Sequence, residues 1–169
     1  TFDRGTYSMT TNIAGVNDSI GTLTITPGFG GNIGSTSAAY STTGNIAKIL
    51  CAGRGQFYKI GSTGNVGTSI TNRCQINLSS ATQFVMSSGT WQFVFMEGGT
   101  LLAEAAAVVS TQCMLSGVRA LFQTNATAVT LLEADNTSDV TIYRNVTTAN
   151  VNAGSTLRTV GSAAVATST

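Results

Sequence analysis

The chain has 169 residues, enough for one domain to bury a sizeable core without staples. Apolar residues make up 42%, which excludes intrinsic disorder, while charged residues make up only 9%, against about 25% in an ordinary globular chain. Net charge is +1, and Arg4, Lys48, Arg54, Lys59, Arg73, Arg119, Arg144 and Arg158 stand singly along the chain, which argues against a nucleic-acid partner because that role needs clustered cations.

Ser, Thr, Gly and Asn fill the place of the missing charges. A hydroxyl and amide surface relies little on charge repulsion for solubility, and it suits a protein packed against copies of itself. The longest apolar runs are far too short to span a bilayer. The chain begins at Thr1 rather than Met, so residues upstream of it are expected to have been removed or to lie outside this sequence, which therefore does not report its own targeting.

Strand signals recur along the whole chain. The segment "TYSMTTNI" from Thr6 and "TLTIT" from Thr22 alternate with period two. After Pro27 comes "GFGGNIGSTSAAYSTTGN", which reads as a long mobile inter-strand loop. Its glycines do not make a dinucleotide fingerprint. From Gly28 and Gly30 the third glycine should fall at 33, which is Ile33, and no helical stripe follows. Further strands are predicted in "AKILCAG" from Ala47, "GQFYKI" from Gly55, "SITNRCQINL" from Ser69 and "TQFVM" from Thr82.

In "WQFVFM", Trp91, Phe93 and Phe95 alternate and are expected to share one core-facing side. "TLLAEAAAVVST" from Thr100 is the one helix candidate. Its alanines, leucines and glutamate predict a short helix near 101–109. "CMLSGVRALFQT" from Cys113 reads as a strand with a bulge at Gly117. "ATAVTLLEA" from Ala126 is another strand. In "DVTIYRNV" from Asp139, Val140, Ile142 and Arg144 fall on one face and Thr141 and Tyr143 on the other.

Many short strands separated by Gly/Asn/Ser/Thr clusters predict an all-β domain, a single-domain antiparallel β-sandwich or jelly roll over 1–169. No internal repeat of 20–50 residues stands out. The terminal segments 1–11 and 146–169 could be exchanged with neighbouring copies.

The missing residue types exclude much chemistry. There is no histidine, so histidine-based nucleophile activation, acid–base work and metal ligation are all excluded. No phosphate-loop motif occurs. Cys51, Cys74 and Cys113 form no CxxC pair; three buried free thiols are expected, the alternative being one disulfide with a single buried thiol. No cofactor is implied.

The remaining candidates are few. Phe29 and Tyr40, in and beside the long loop, are expected to be exposed and able to stack on a sugar. Arg54, in "GRG", could bind a carboxylate or phosphate or touch a neighbouring subunit. Glu133, Asp135 and Asp139, with Asn136, place hard oxygen ligands at close spacing. They could hold calcium, although the same residues are what a tight turn demands. A carboxylate pair for glycoside hydrolysis could be drawn from the same cluster. Asn-x-Ser/Thr triplets begin at Asn17, Asn77, Asn125, Asn136 and Asn145, a frequency that the Ser/Thr content explains.

The low charge, the Thr/Ser/Gly/Asn-rich strands, the absence of histidine and the single proline together are similar to the composition of bacteriophage virion surface proteins and some extracellular fibre subunits. That resemblance implies a non-enzymatic structural subunit at a virion or extracellular surface. It would be a capsid decoration, fibre or coat component partnered by copies of itself and other structural proteins. Two alternatives are a carbohydrate-binding adhesin or lectin domain recognising a surface glycan, and a secreted pilus-type fibre subunit.

Overall fold

A computed structural model of the chain describes Thr1 and residues 19–169. The strand expected from Thr6 and the exchange expected of segment 1–11 lie outside the described residues, Thr1 excepted. Among the described residues sixteen strands follow in order. They are β1 (Ile20–Ile25), β2 (Tyr40–Thr42), β3 (Ile46–Cys51), β4 (Phe57–Ser62), β5 (Asn65–Val66), β6 (Cys74–Asn77), β7 (Gln83–Met86) and β8 (Gly89–Glu97). Then come β9 (Thr100–Ala103), β10 (Ala107–Ser116), β11 (Arg119–Phe122), β12 (Val129–Asp135), β13 (Asp139–Ile142), β14 (Val146–Val151), β15 (Thr156–Thr159) and β16 (Val165–Ser168).

All sixteen pair in parallel, in two sheets. The larger sheet runs β1-β3-β5-β8-β10-β12-β14-β16, with β6 also between β3 and β8; the smaller runs β15-β13-β11-β9-β7-β4-β2. The chain passes from one sheet to the other and back, and each return lands beside the previous strand. This is a β-solenoid, and it overturns the expected antiparallel sandwich or jelly roll. Period-two alternation reports that one strand face is buried, but not which way the neighbour runs. The polar clusters that suggested hairpins are instead corners where the chain changes sheet.

Successive coils place Cys74 beside Val94, Val94 beside Cys113, Cys113 beside Leu132 and Leu132 beside Ala149. On the opposite sheet Phe84, Leu101, Ala120, Val140 and Leu157 stack likewise. The repeat was hidden because its length varies. It is 17 residues from Leu132 to Ala149 and 26 from Tyr58 to Phe84. The two inward faces enclose one core, including Phe84 and Trp91 with rings edge-to-face at 6.1 Å.

One corner recurs. After β8, β10, β12 and β14 the chain turns through left-handed residues: Gly98 and Gly99, Gly117, Asn136 and Thr137, and Gly154. Gly117 therefore ends β10 and opens β11 in the other sheet rather than bulging a single strand. The "ADNTS" cluster is such a corner too. Asparagines stitch one coil to the next. Asn45 Oδ1 accepts the Asn65 N–H at 2.7 Å, and Asn145 Oδ1 accepts the Ala164 N–H at 3.0 Å.

The helix expected near 101–109 is absent. Leu101 and Ala103 are buried in β9, residues 104–106 turn, and Ala107 and Val109 are buried in β10. Pairing of both strands with their neighbours outweighs the helix propensity of alanine. The expected mobile loop after Pro27 is also packed. Phe29 and Ile33 are fully buried, and Ile33 exchanges backbone bonds with the next coil, its N–H to Phe57 O at 3.0 Å and its carbonyl from Lys59 N–H at 2.8 Å. Segment 146–169 forms β14, β15 and β16, which extend the stack. Among the described residues no helix is long and apolar enough to cross a membrane.

Candidate functional site

Two of the expected ligand residues face inward. Phe29 is fully buried against Tyr58, with ring centroids 6.4 Å apart, and Tyr40 begins β2 with 5% exposure. Neither offers a ring to a sugar, because the segment that carries them is core rather than loop. Arg54 is exposed at a corner, where its N–H donates to Phe29 O at 2.8 Å. It lines a shallow depression with Gly53, Asn77 and Ser79.

The expected calcium set is divided. Glu133 and Asp135 lie two residues apart on the outer face of β12, whereas Asp139 opens β13 in the other sheet. Asp139 Oδ1 accepts from Thr156 Oγ1 at 2.8 Å and lies 3.5 Å from Arg158 Nη2. Among the described residues no group of three or more Cys, Asp or Glu is placed to hold a metal ion.

The aromatic strand is divided as well. Trp91 is fully buried, and its indole N–H donates to Ser88 O at 2.9 Å. Phe93 and Phe95 are half-buried on the outer face, because Val94 and Met96 take the inward positions. The phase change falls where β8 meets an irregularity in β10 between Val109 and Gln112. Strict alternation from Trp91 therefore misassigned both phenylalanines.

On this outer face lies a cleft of about 300 Å³. Parallel register sets its two walls. Along one side run Gln75, Phe95, Met114 and Glu133; along the other run Asn77, Glu97, Ser116 and Asp135. Arg73 places its guanidinium carbon 4.6 Å from the Phe95 ring centre, and Asn152 lines the far end.

The carboxylates are held in place. Asn77 Nδ2 donates to Glu97 Oε2 at 3.2 Å. Gln112 Nε2 donates to Glu133 Oε2 at 2.7 Å, and Asn150 Nδ2 to Glu133 Oε1 at 3.3 Å. Asp135 Oδ1 accepts the Asn136 N–H at 2.7 Å. Such an arrangement can accept hydrogen bonds from a ligand, while Phe95 and Met114 offer apolar surface in the column beside it. Of the candidates that the amino-acid sequence suggested, only Glu133 and Asp135 belong here.

Sequence reasoning missed Phe95, Arg73 and Glu97. The available signal was that "WQFVFM" supplies more large apolar residues than one inward face of a narrow coil can take.

Two buried cations lie elsewhere. Lys59 Nζ pairs with Glu104 Oε1 at 2.7 Å and donates to Thr36 O at 3.2 Å. Arg144, 2% exposed, donates to backbone carbonyls of Gln123, Ala107, Ala103 and Glu104. Burial pulls its guanidinium down to about 10. The thiols of Cys51, Cys74 and Cys113 are free and buried, and burial pushes all three upward, Cys51 and Cys113 to about 12. Such thiols are poor nucleophiles. Comparison of the chain with protein-family models, with curated proteins and with solved structures returned no match.

Proposed function

We propose that the chain is a non-enzymatic structural subunit that associates with copies of itself, as a fibre, decoration or coat component of a virion or extracellular surface. One observation carries this reading. The outer face of the smaller sheet bears an apolar pair, Leu102 and Leu121, adjacent through the parallel register, with Val85 buried at the end of the same column. Leu121 is 37% exposed there, beside the exposed Tyr143.

Solenoid side chains on outward positions meet water unless another surface covers them. The column continues into Thr141, and the parallel column beside it runs Gln83, Thr100, Arg119 and Asp139. An apolar column flanked by one that carries charges of both signs, Arg119 and Asp139, can pair with a second copy of itself. The low overall charge works the same way, since little repulsion opposes contact between like chains. Composition supports the virion or extracellular setting, and other structural proteins of the same assembly would be further partners.

The test is sedimentation velocity over a range of concentrations, on the full chain and on a Leu102→Lys/Leu121→Lys variant. The reading expects an oligomer for the parent and a monomer of unchanged circular dichroism for the variant. A parent that stays monomeric at the highest concentration, or a variant that assembles as the parent does, overturns it.

A further inference from the structure

We propose that the cleft on the outer face of the larger sheet binds a linear oligosaccharide, uncharged or bearing amino groups. This is a binding activity separate from self-association, on the opposite sheet.

The stack itself supplies the argument. Adjacent parallel strands lie about 4.8 Å apart, so each coil contributes one side chain to each wall at that interval. Successive coils present Phe95 with Glu97, Met114 with Ser116, and Glu133 with Asp135. A ligand lying along the stack axis therefore meets an apolar surface on one side at Phe95 and Met114. It meets hydrogen-bond acceptors on the other. A pyranose ring has this same division, with C–H groups on its faces and hydroxyls around its edge, and its length is close to one coil spacing.

The fixed orientation of the acceptors favours binding. Asn77 holds one oxygen of Glu97, and the Asn136 N–H holds one oxygen of Asp135, which leaves Glu97 Oε1 and Asp135 Oδ2 to accept from ligand hydroxyl or ammonium groups. Binding then carries little ordering cost on the protein side.

Charge selects the class. Glu97, Glu133 and Asp135 outnumber Arg73, whose guanidinium is already stacked on Phe95. Uronic acids and sulfated or phosphorylated sugars would meet net repulsion, whereas neutral sugars would not, and amino sugars would be attracted.

Isothermal titration of the full chain with short oligomers of β-glucan, chitosan and polygalacturonate tests the proposal. Binding of the glucan or the chitosan, with polygalacturonate weakest, is expected. Phe95→Ala should weaken binding about tenfold, the scale of one lost aromatic contact. Glu97→Gln/Asp135→Asn should abolish any preference for chitosan over glucan. Phe95 and both carboxylates are outside the core, and circular dichroism checks that each variant folds.

Absence of binding by glucan and chitosan alike overturns the proposal, as does polygalacturonate binding best or a Phe95→Ala variant that binds as the parent does. If Phe95→Ala changes the sedimentation of the protein and not its glycan binding, the cleft is a contact between copies and the proposal falls. The Leu102→Lys/Leu121→Lys variant should keep its sugar binding, so failure of the assembly reading and failure of this one are distinguishable.

Discussion

Cys74 and Cys113 occupy the same inward column of the larger sheet, two coils apart, with Val94 between them. Two strand spacings amount to roughly 10 Å, beyond the reach of a disulfide. Cys51 lies in the adjacent inward column, beside Ile76. The three sulfurs are therefore packing groups.

Their burial predicts a pH response. Unfolded thiols titrate near 9.0, whereas Cys51 and Cys113 titrate at about 12 in the fold and Cys74 is also displaced upward. Between these values the folded chain holds more protons than the unfolded one, so stability falls as pH rises past about 9. Tyr58, pushed to about 12 chiefly by burial, adds the same sign above its ordinary 10.0. Arg144 acts oppositely, but only above about 10. Thermal midpoints should hold steady from neutral pH to about 8.5 and decline from there to 10. A Cys51→Ala/Cys74→Ala/Cys113→Ala variant should lose most of the decline. In the parent at pH 8, iodoacetamide should label these thiols only after denaturant is added.

Arg144 ties neighbouring corners together. Its Nε donates to Gln123 O and its Nη1 to Ala107 O, both at 2.6 Å, and its Nη2 reaches Glu104 O at 3.1 Å. Arg144→Leu would leave those buried carbonyls without their donor. The expected loss is about 3 kcal/mol, read as a lower urea midpoint with unchanged slope. Arg144→Lys keeps the charge but not the planar fork, and should fall between the two.

Gly55 lies where two coils cross. A Cβ there would overlap the Gly31 carbonyl oxygen and crowd the Tyr58 hydroxyl, which accepts the Gly55 N–H at 2.6 Å. Because the first obstacle is backbone, a side-chain rotation cannot relieve it. Gly55→Ala should cost about 2–3 kcal/mol in the same urea assay, more than an Ala at Gly21, where a Cβ meets nothing.

Thr137 holds φ at 63° in the recurrent corner, beside Gly154 of the next coil, which has φ 86°. A β-branched residue is strained there. Thr137→Gly should stabilise by about 0.5–1 kcal/mol, the strain relieved less the entropy added to the unfolded chain. A raised urea midpoint would show it.

Several strands were legible residue by residue. Val140 and Ile142 face inward with Arg144, and Tyr143 outward, as the alternation in "DVTIYRNV" predicts. Cys51 is core, as "AKILCAG" suggests. The outer cleft was not legible. Its walls are made of residues about 20 positions apart, and only the register of β6, β8, β10 and β12 brings Asn77, Glu97, Ser116 and Asp135 into one line. Phe95 was assigned to the wrong face because a change of phase within β8 depends on the neighbouring strand, not on β8 alone.

By itself the sequence determined that this is a β protein with little charge and no histidine chemistry, because side-chain type and period-two burial are local properties. Only the tertiary structure decided that the strands run parallel in stacked coils. Direction and register are set by where the chain lands after each corner, and coils of 17 to 26 residues leave no fixed period to read. The same packing turned "GFGGNIG" from an apparent loop into part of the core and brought Phe95 and Glu97 to the surface.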